Sequence, residues 1–437
     1  MNFTGVKGTR DFYPADMALR NWLVDAWRRV SVRNGFQEYD GPILEHLDLY
    51  AAKSGTEIVD QLFNLTDRGG RRLAIRPEMT PTLARMVGAR APSLPRPIKW
   101  FSVPRVCRAE RPQKGRLREF FQWNIDIVGV DDVLADAETI LVAVDFLREV
   151  GMTPADCSVR INSRRLVAAW LADLRVPTDQ IETAYSLLDK SGKLPREALA
   201  ELWDKSFGAT VPFGVVEPIL GVEGLDRLRE MTRREGAWEA ASAELATLER
   251  LISILDDFGI TEYCNIDLSV VRGLAYYTGV VYEVFDRAKR HRAIGGGGRY
   301  DSLLQALGGP DMPGVGFGMG DVVILDVLQE AGRLPSLGTG LDLFLIAAEP
   351  GLEARCRQAV GCLRRGGWSV DFSYRPQSVG KLLRAAAERG AAYAVILGEE
   401  TREQNLVTVK DLATGTQVRR GWEEFLREPV VATGRSP

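Results

Sequence analysis

The first part of the chain opens with a strongly amphipathic stretch. After Asp16, a candidate N-cap, apolar residues recur at the three- and four-residue spacing of one helix face, and the pattern stops near Gly35. The same period returns at residues 134–150, and residues 164–255 have a mostly helical pattern. We therefore expect a long opening helix, a second long helix and a helical block. The apolar positions of the opening helix are Leu19, Trp22, Leu23, Ala26, Trp27 and Val30.

Short β-like runs lie between these helical stretches. The runs LFNLTD, RLAIRPE, IKWFSVPRVCR and LREFFQWNIDIVG precede the second helix, and strand-like runs resume at residues 264–285 and 293–294. Strands that stop at a helical block and then resume indicate either an insertion within one domain or a separate middle domain. The pattern alone favours neither.

The C-terminal part has its own alternation of strands and helices. Residues 332–340, GRLPSLGTG, are rich in Gly, Ser and Pro and form a candidate linker. Beyond them, LDLFLIA, WSVDFS and AYAVILG alternate with helical patterns at 352–365 and 379–389, and the hairpin LVTVKDLATGTQV follows. This order predicts a compact α/β module of roughly 90 residues.

Composition narrows the class of protein. A chain of 437 residues with 45% hydrophobic and 26% charged residues is typical of a soluble protein with two or three domains. The five cysteines lack CxxC spacing, which argues against disulfides and thiolate metal sites and favours a reducing cytoplasm. We see neither a leader pattern nor a membrane-spanning run. The two histidines, His46 and His291, exclude a His-rich metal centre and receive no role, so any metal should be a hard ion such as Mg²⁺.

Basic residues are concentrated in one segment of the chain. Residues 96–118 carry eight Lys or Arg and one acidic residue, a local charge of about +7 in a protein of net charge −3. The following run alternates, with Arg118, Phe120, Gln122, Asn124 and Asp126 on one face and mostly apolar residues on the other. A solvent-facing strand would give the same pattern. The basic loop 111–116 would join two antiparallel strands at the rim of this polar face, where it suits a nucleotide phosphate or a nucleic-acid backbone.

Two glycine-rich stretches are the other candidates for ligand contact. GGGGRYD spans 295–301 and GVGFGMGD spans 314–321, whereas GxxxxGK[ST] and GxGxxG are absent from the sequence. Glycine clusters permit a close approach of backbone to ligand. Either stretch taken alone favours a tight turn before a closely packed helix.

Taken together, these segments resemble the histidyl-tRNA synthetases, a family of class II aminoacyl-tRNA synthetases. The resemblance covers nearly the whole chain and includes the histidine-specific signatures RGLAYYTG and GGGGRYD. Other segments in family order are KGTRDFYP, YDGPILE with Pro42 (motif 1), RPEMTPTLARM and CRAERPQKGRLREFFQ (motif 2).

The resemblance implies an α+β fold: a class II antiparallel sheet flanked by helices, a helical insertion and a C-terminal α/β anticodon-binding domain. It implies a homodimer formed through motif 1, and it gives no expectation of binding to DNA or a membrane. The implied divisions are a catalytic domain at 1–163 and 241–331, the insertion at 164–240, the linker at 332–340 and the anticodon-binding domain at 341–437.

The implied activity is ATP- and Mg²⁺-dependent activation of L-histidine to histidyl adenylate, then transfer to the 3′ end of histidine tRNA. By motif position, Arg108, Gln122 and Arg272 are the expected catalytic residues. No protein ligand to a metal is assigned. The residues expected to bind histidine are Glu78, Thr80, Gln122, Asp126, Arg272, Tyr276 and Tyr277.

The same motifs assign the other two substrates. ATP is expected to contact Arg108, Glu110, Arg116 and Arg299. The acceptor end of the tRNA is expected at the basic loop, through Arg111, Gln113, Lys114 and Arg116.

The sequence departs from the family pattern at three positions. Val323 stands where motif 3 carries an arginine, Ala275 where many members carry aspartate, and Asp126 where glutamate is common. We expect Arg287, Arg292 or Arg299 to substitute for the missing cation.

Lost catalysis is the alternative interpretation of these departures, as in the regulatory subunit of ATP phosphoribosyltransferase, which resembles this family and senses histidine. That paralogue generally lacks the terminal anticodon-binding domain, which is expected here at 341–430, and it usually loses the catalytic arginine, which this sequence retains as Arg272. A third alternative, a nucleic-acid-binding module without chemistry, leaves RPEMT and GGGGRYD unexplained.

Overall fold

The chain divides into two compact units, one of residues 1–12 and 20–334 and one of residues 13–19 and 335–437. The two units are described separately. The division after Leu334 falls within the glycine- and proline-rich stretch at 332–340. The computed structural model describes residues 3–51, 62–188, 190–191, 194–208, 210–234, 239–270, 276–338 and 340–429.

A large sheet forms the centre of the first unit. In the described part of this unit its strand order is β1-β5-β7-β12-β11-β10-β8-β9, with β6 also paired to β7. The pairings are antiparallel except β1 with β5 and β8 with β9, which are parallel. A smaller antiparallel sheet has the order β2-β4-β3. The strands are β1 Gln37–Glu38, β2 Leu44–His46, β3 Asn64–Thr66, β4 Arg72–Ile75, β5 Ile98–Ser102, β6 Arg105–Cys107, β7 Glu119–Val128, β8 Cys157–Ser163, β9 Cys264–Ile266, β10 Val280–Asp286, β11 Gly295–Arg299 and β12 Gly314–Gly320.

Helices flank this sheet, and the described residues between β8 and β9 are mostly helical. Among the described residues, no helix is long and apolar enough to cross a lipid bilayer. The helices are α1 Pro14–Arg33, α2 Thr80–Arg90, α3 Val133–Glu149, α4 Arg164–Asp173, α5 Ile181–Leu188, α6 Arg196–Phe207, α7 Phe213–Leu220, α8 Leu225–Arg234, α9 Glu239–Asp257, α10 Leu303–Ala306 and α11 Asp321–Glu330.

The two predicted long helices pack on one face of the sheet. Trp27 of α1 stacks on Trp123 of β7 with ring centroids 5.9 Å apart, and Phe146 of α3 contacts both rings. All three side chains are fully buried. The Asp132 side chain accepts a hydrogen bond from Leu134 N–H and caps α3. The apolar positions of β7 therefore face a core, and its polar positions face the opposite side of the sheet.

The glycine-rich stretches form strands, contrary to the tight turns expected of either one alone. Gly295–Arg299 is β11 and Gly314–Gly320 is β12, and the two pair in antiparallel register. A Cβ on Gly318 would lie 2.1 Å from Gln122 Nε2, and one on Gly316 would lie 2.3 Å from Asp126 Oδ1. Glycine is needed in β12 because side chains of the neighbouring strand occupy the volume above it.

The second unit is an α/β module around a mixed sheet of order β14-β13-β15-β16-β17, counting the described strands. β13 lies between β14 and β15 and is parallel to both, whereas β16 and β17 are antiparallel. This agrees with the predicted alternation followed by a hairpin. The elements are β13 Leu343–Ala347, α12 Glu353–Arg365, β14 Val370–Phe372, α13 Val379–Glu388, β15 Tyr393–Leu397, α14 Glu399–Glu403, β16 Leu406–Asp411, β17 Gln417–Gly421 and α15 Trp422–Arg427.

Candidate active site

A cavity of about 290 Å³ lies on the polar side of the large sheet. Its walls come from β7, β11, β12, the segment before α2 and the residues just before β10. The cavity brings together most of the residues that the motifs assign to histidine and ATP. Those that line it are Glu78, Thr80, Arg108, Arg116, Gln122, Tyr276 and Tyr277.

Asp126 lies next to this cavity, behind Tyr300. The Tyr300 hydroxyl lines the cavity side and donates a hydrogen bond of 2.6 Å to Asp126 Oδ1. The second oxygen, Oδ2, is buried and has no hydrogen-bond donor among the residues that the structure describes. Burial raises the pKa of Asp126 from an ordinary 3.8 to about 7. A buried acceptor without a donor is a site for a ligand N–H.

Asp126→Asn is expected to change how stability depends on pH. Because burial raises the pKa, the stability contributed by the protonated carboxyl is present below 3.8 and is lost as the pH rises through about 7. Between pH 5 and 8 the unliganded wild type should lose about 2–3 kcal/mol of unfolding free energy that the asparagine variant keeps. Urea unfolding of both proteins at the two pH values measures this difference. The same pH dependence in both would contradict a titrating buried carboxyl.

Four other histidine-assigned residues that the structure describes are held by hydrogen bonds or ring contacts. The Tyr276 hydroxyl donates to Glu78 Oε2 at 2.8 Å, and the Tyr276 and Tyr277 rings meet edge to face at 5.1 Å. Gln122 Nε2 donates to Asn124 Oδ1 at 2.8 Å, so the amide of Gln122 is fixed along β7. Glu78 is buried, which makes it a strong acceptor for a cationic amino group.

Three guanidinium groups, those of Arg108, Arg116 and Arg292, lie close together in the lining of the cavity. Burial lowers the pKa of Arg116, and the positive charges of Arg292 and Arg108 lower it further. Arg108 donates to Pro77 O at 3.2 Å and lies over the Phe120 ring, 5.2 Å from its centroid. Arginines held so close to one another favour a polyanionic ligand.

The structure separates the three arginines that the sequence nominates to replace the motif 3 cation. Arg292 lines the cavity together with Val323, and both lie near Gly115, where an added Cβ would be 3.3 Å from Val323 and 3.9 Å from Arg292. Arg287 is exposed and donates to Pro154 O and Glu262 O instead. Of the three, Arg292 has the position of a substitute.

Arg299, which the resemblance assigns to ATP, does not line this cavity. Its guanidinium is buried in an ion pair with Asp136 and also contacts Asp301 Oδ1 at 3.3 Å. It donates to the carbonyl oxygens of Val130 and Asp132, which anchor the start of α3. The side chain therefore ties β11 to α3. Arg299 belongs to the signature GGGGRYD, but its donors are already engaged within the chain.

The basic loop forms a tight turn at the edge of the cavity. Gln113 and Arg116 exchange two backbone hydrogen bonds, and Gly115 adopts φ +72° between them. Glu110 forms an ion pair with Arg116 and does not line the cavity. Arg111 is exposed.

A second, larger cavity of about 960 Å³ adjoins the first at this loop. Gln113 and Lys114 line it, and Gly115, Glu283, Arg292, Ala293 and Val323 line both cavities. The tRNA-assigned residues Gln113 and Lys114 thus face a different space from the ATP- and histidine-assigned residues.

An ion pair that the motif assignments do not include, between Arg10 and Asp321, holds β7 beside the cavity. Asp321, the first residue of α11, is fully buried; its Oδ2 accepts from Arg10 at 2.6 Å and its Oδ1 accepts from Phe121 N–H at 3.1 Å. Phe121 sits between Phe120 and Gln122 on β7. The segment KGTRDFYP supplies Arg10 and the segment GVGFGMGD supplies Asp321, but their separation of 311 residues hides the pairing from sequence.

For the ATP-dependent reaction that the resemblance implies, Arg10→Ala is expected to raise the KM for ATP about tenfold with a smaller change in kcat, because a small displacement of β7 misplaces the residues that line the cavity. Steady-state pyrophosphate exchange at varied ATP measures it. Arg10→Lys should recover much of the loss, since it keeps the charge beside Asp321. Arg28→Ala, which removes an exposed ion pair with Glu38, is the matched control and should be neutral. An unchanged KM in Arg10→Ala would contradict the positioning role.

Three other statements made from the sequence concern Arg272, the two histidines and a metal site. Arg272, with Ala275, lies outside the described residues. His46 is exposed on β2, and His291 Nε2 lies 3.1 Å from Glu330 Oε1 in the wall of the second cavity. Within the described chain, no group of three His, Cys, Asp or Glu side chains is arranged to hold a metal.

Family models match both units of the chain. A model described as histidyl-tRNA synthetase matches residues 8–321, and a model described as anticodon binding domain matches residues 342–429. The chain is 40% identical over 415 residues to the chloroplastic/mitochondrial histidine–tRNA ligase of Arabidopsis thaliana, covering 94% of this chain and 83% of the relative. It is 39% identical over 422 residues to the histidine–tRNA ligase of Opitutus terrae, covering 95% of each.

Solved structures give the same picture of the fold. The crystal structure of histidyl-tRNA synthetase from Nostoc sp. PCC 7120 matches with a TM-score of 0.83 at 25% identity, covering 98% of this chain and 99% of the other. A Bacillus halodurans structure titled as an ATP phosphoribosyltransferase regulatory subunit/histidyl-tRNA synthetase matches with a TM-score of 0.71 at 22% identity, covering 91% and 99%. The second likeness concerns the fold alone.

Proposed function

Because the chain belongs to the histidyl-tRNA synthetase family, it is an ATP-dependent histidine–tRNA ligase, and we propose that the 290 Å³ cavity is where it forms histidyl adenylate. The observation that carries this proposal is that the lining of one cavity combines Glu78 and two tyrosines, here called the acidic end, with three mutually close arginines, here called the arginine end. Histidine offers an amino group and an imidazole to the first set of residues. ATP offers phosphates to the second.

The acidic end suits histidine on chemical grounds. The α-amino group would bind at Glu78 and Thr80, and the imidazole would donate an N–H to Asp126 Oδ2, the buried acceptor that lacks a donor in the described chain. Tyr277 and Gln122 would border the side chain and the reacting carboxylate. A site built to bond an imidazole rejects apolar amino acids strongly, because its buried polar groups would be left unpaired.

The arginine end suits the transfer step. Adenylation is an in-line attack by the histidine carboxylate on the α-phosphorus of ATP, with pyrophosphate as the leaving group, so negative charge builds between two anions. Arg108 would hold the α-phosphate through its fork, and Arg116 and Arg292 would neutralise the outer phosphates. Mg²⁺, held mostly by those phosphates, would supply further charge neutralisation. No protein nucleophile is required, and Arg272 keeps its proposed place at the carboxylate through motif position alone.

The second substrate would reach the site through the loop. The terminal ribose of the tRNA attacks the adenylate carbonyl and releases AMP, so the acceptor end must enter beside the first cavity. The second cavity, lined by Gln113 and Lys114, adjoins it there. Arg111 and Arg116 would contact the acceptor phosphates.

Two further proposals concern the setting of the enzyme. A homodimer is supported by exposed apolar side chains around motif 1, including Ile43, Leu44 and Leu65, which are 59%, 44% and 42% exposed. A cytoplasmic location is supported by the cysteines, all five of which are free thiols.

The regulatory-subunit alternative predicts histidine binding without chemistry. The match of residues 342–429 to an anticodon binding domain favours the ligase. A binding module without chemistry leaves the buried Glu78 and Asp126 without a purpose, because a nucleic-acid surface needs no enclosed acidic end.

The deciding experiment is exchange of labelled pyrophosphate into ATP by the purified protein without tRNA. We expect exchange that requires histidine and is not supported by phenylalanine, an analogue of similar size without ring nitrogens. Histidine binding without exchange would move the assignment to the regulatory alternative. Exchange without subsequent charging of histidine tRNA would contradict the transfer step only.

A further inference from the structure

The loop between β10 and β11 is basic and is held by a buried carboxylate. Its eight residues, 287–294, read RAKRHRAI and contain four Lys or Arg, one His and no acidic residue. Asp286, the last residue of β10, is buried and accepts hydrogen bonds from the backbone N–H of Arg290 at 2.9 Å and of His291 at 3.1 Å. These two bonds fix the backbone at the two residues that precede Arg292.

A second carboxylate, Glu330, contacts the side chains of the same two residues. Glu330 Oε1 lies 3.1 Å from His291 Nε2, which is buried, and Glu330 Oε2 lies 3.5 Å from Arg290 Nη1. Glu330 is the last residue of α11. Asp286 therefore holds the backbone just before Arg292, and Glu330 holds the side chains there.

The helix α11 connects this contact to the candidate active site. Val323 and Glu330 are seven residues apart in α11, so they lie on the same face of the helix, two turns or about 10 Å apart along its axis. A Cβ added to Gly115 would lie 3.3 Å from Val323 Cγ2 and 3.9 Å from Arg292 Cδ. Arg292 thus lies near the start of α11, and the residues before it contact the end of the same helix.

We propose that Glu330 is a positioning residue for adenylation, which fixes the loop so that Arg292 meets the outer phosphates of ATP. The proposal rests on the ligase function and deepens it by naming what orients this arginine. Glu330 lines neither of the two cavities described above, so it would act through Arg292 and not by touching ATP. An arginine that is oriented before ATP arrives loses less side-chain freedom on binding. The helix with Val323 at the motif 3 position would then hold the loop that supplies another cation.

The test is pyrophosphate exchange by the full-length protein at varied ATP and at varied histidine. Glu330→Gln keeps the size and removes the charge, and it should raise the KM for ATP about fivefold while leaving the KM for histidine unchanged. Glu330→Asp keeps the charge and should recover part of the loss. Glu149→Gln is the matched control, because Glu149 is also the last residue of its helix, α3, and pairs with Arg29 at 3.1 Å and Arg33 at 2.9 Å. Its KM values should equal those of the wild type.

A double-variant cycle shows whether Glu330 acts through Arg292. Glu330→Gln/Arg292→Ala should have the KM for ATP of Arg292→Ala alone, because no guanidinium is left to position. Independent, additive rises, an equal rise in the KM for histidine, or a normal KM for ATP in folded Glu330→Gln would overturn the proposal. Absence of exchange in the wild type would contradict the ligase function instead. The same cycle is then measured as the Kd for ATP by calorimetry, and the same pattern is expected.

Discussion

Replacing Arg108 by alanine is expected to reduce histidine-dependent pyrophosphate exchange about a thousandfold in kcat. The guanidinium lies at the cavity, over the Phe120 ring and bonded to Pro77 O, so its position is fixed before substrate arrives. Removing one fixed donor from a site where charge develops in the transition state costs a factor of this order. Arg108→Lys should recover only part of the rate, since an ammonium group keeps the charge and loses the planar fork.

Two further variants, Arg292→Ala and Arg287→Ala, are compared with each other beside Arg108→Ala. Both residues are candidates by sequence for the missing motif 3 cation, but Arg292 lines the cavity whereas Arg287 is exposed and bonded to backbone carbonyls. Arg292→Ala should raise the KM for ATP, and Arg287→Ala should not. Circular dichroism and thermal unfolding establish that each variant is folded. Near-normal exchange in folded Arg108→Ala would remove the proposed phosphate contact.

The second large effect is on stability and concerns Arg299. Arg299→Met should lower the free energy of unfolding by about 3–5 kcal/mol, because it leaves the Asp136 carboxylate buried without its partner. Burial raises the pKa of Asp136 to about 6 even with Arg299 beside it. Without the arginine the pKa of Asp136 should rise further. At pH 5 the carboxyl is then protonated and uncharged, so the loss of unfolding free energy should be smaller at pH 5 than at pH 8.

The double variant Arg299→Met/Asp136→Leu separates the charge from the packing. It should recover much of the stability, since a buried pair replaced by apolar residues of similar volume is often neutral. Urea unfolding at both pH values provides the measurement. The folded fraction of Arg299→Met should keep a normal KM for ATP. A raised KM in a variant of undiminished stability would instead restore the ATP contact that the resemblance implies.

Local patterns predicted the parts of the fold that depend on local physics. The helix that contains Trp27 and the alternation of β7 follow from periods of 3.6 and 2, and both are found in the structure. The glycine strands were predicted poorly because glycine has no intrinsic preference for a strand. β12 requires glycine at Gly316 and Gly318 because Gln122 and Asp126 of the neighbouring strand occupy the space that side chains there would fill.

Contacts in the site between residues far apart in the sequence were also beyond prediction from local patterns. Motif position grouped Glu78, Arg108 and Gln122, and the structure places all three around one cavity. It assigned Arg299 to ATP, whereas the structure pairs Arg299 with Asp136 across 163 residues of sequence, and it had no means of joining Arg10 to Asp321. A motif states which residues recur together in a family, but it does not state which charges are already bonded within the chain.

The glycine floor of the cavity also limits how the enzyme can be re-engineered. Directed evolution of pocket size usually works by trimming wall side chains, yet at Gly316 and Gly318 nothing remains to trim. Added bulk there would collide with Asp126 and Gln122 before it met a ligand. Libraries meant to accept larger or unnatural amino acids should therefore leave β12 fixed and vary Tyr300, Tyr277 and Asn124, whose side chains are the removable part of the wall.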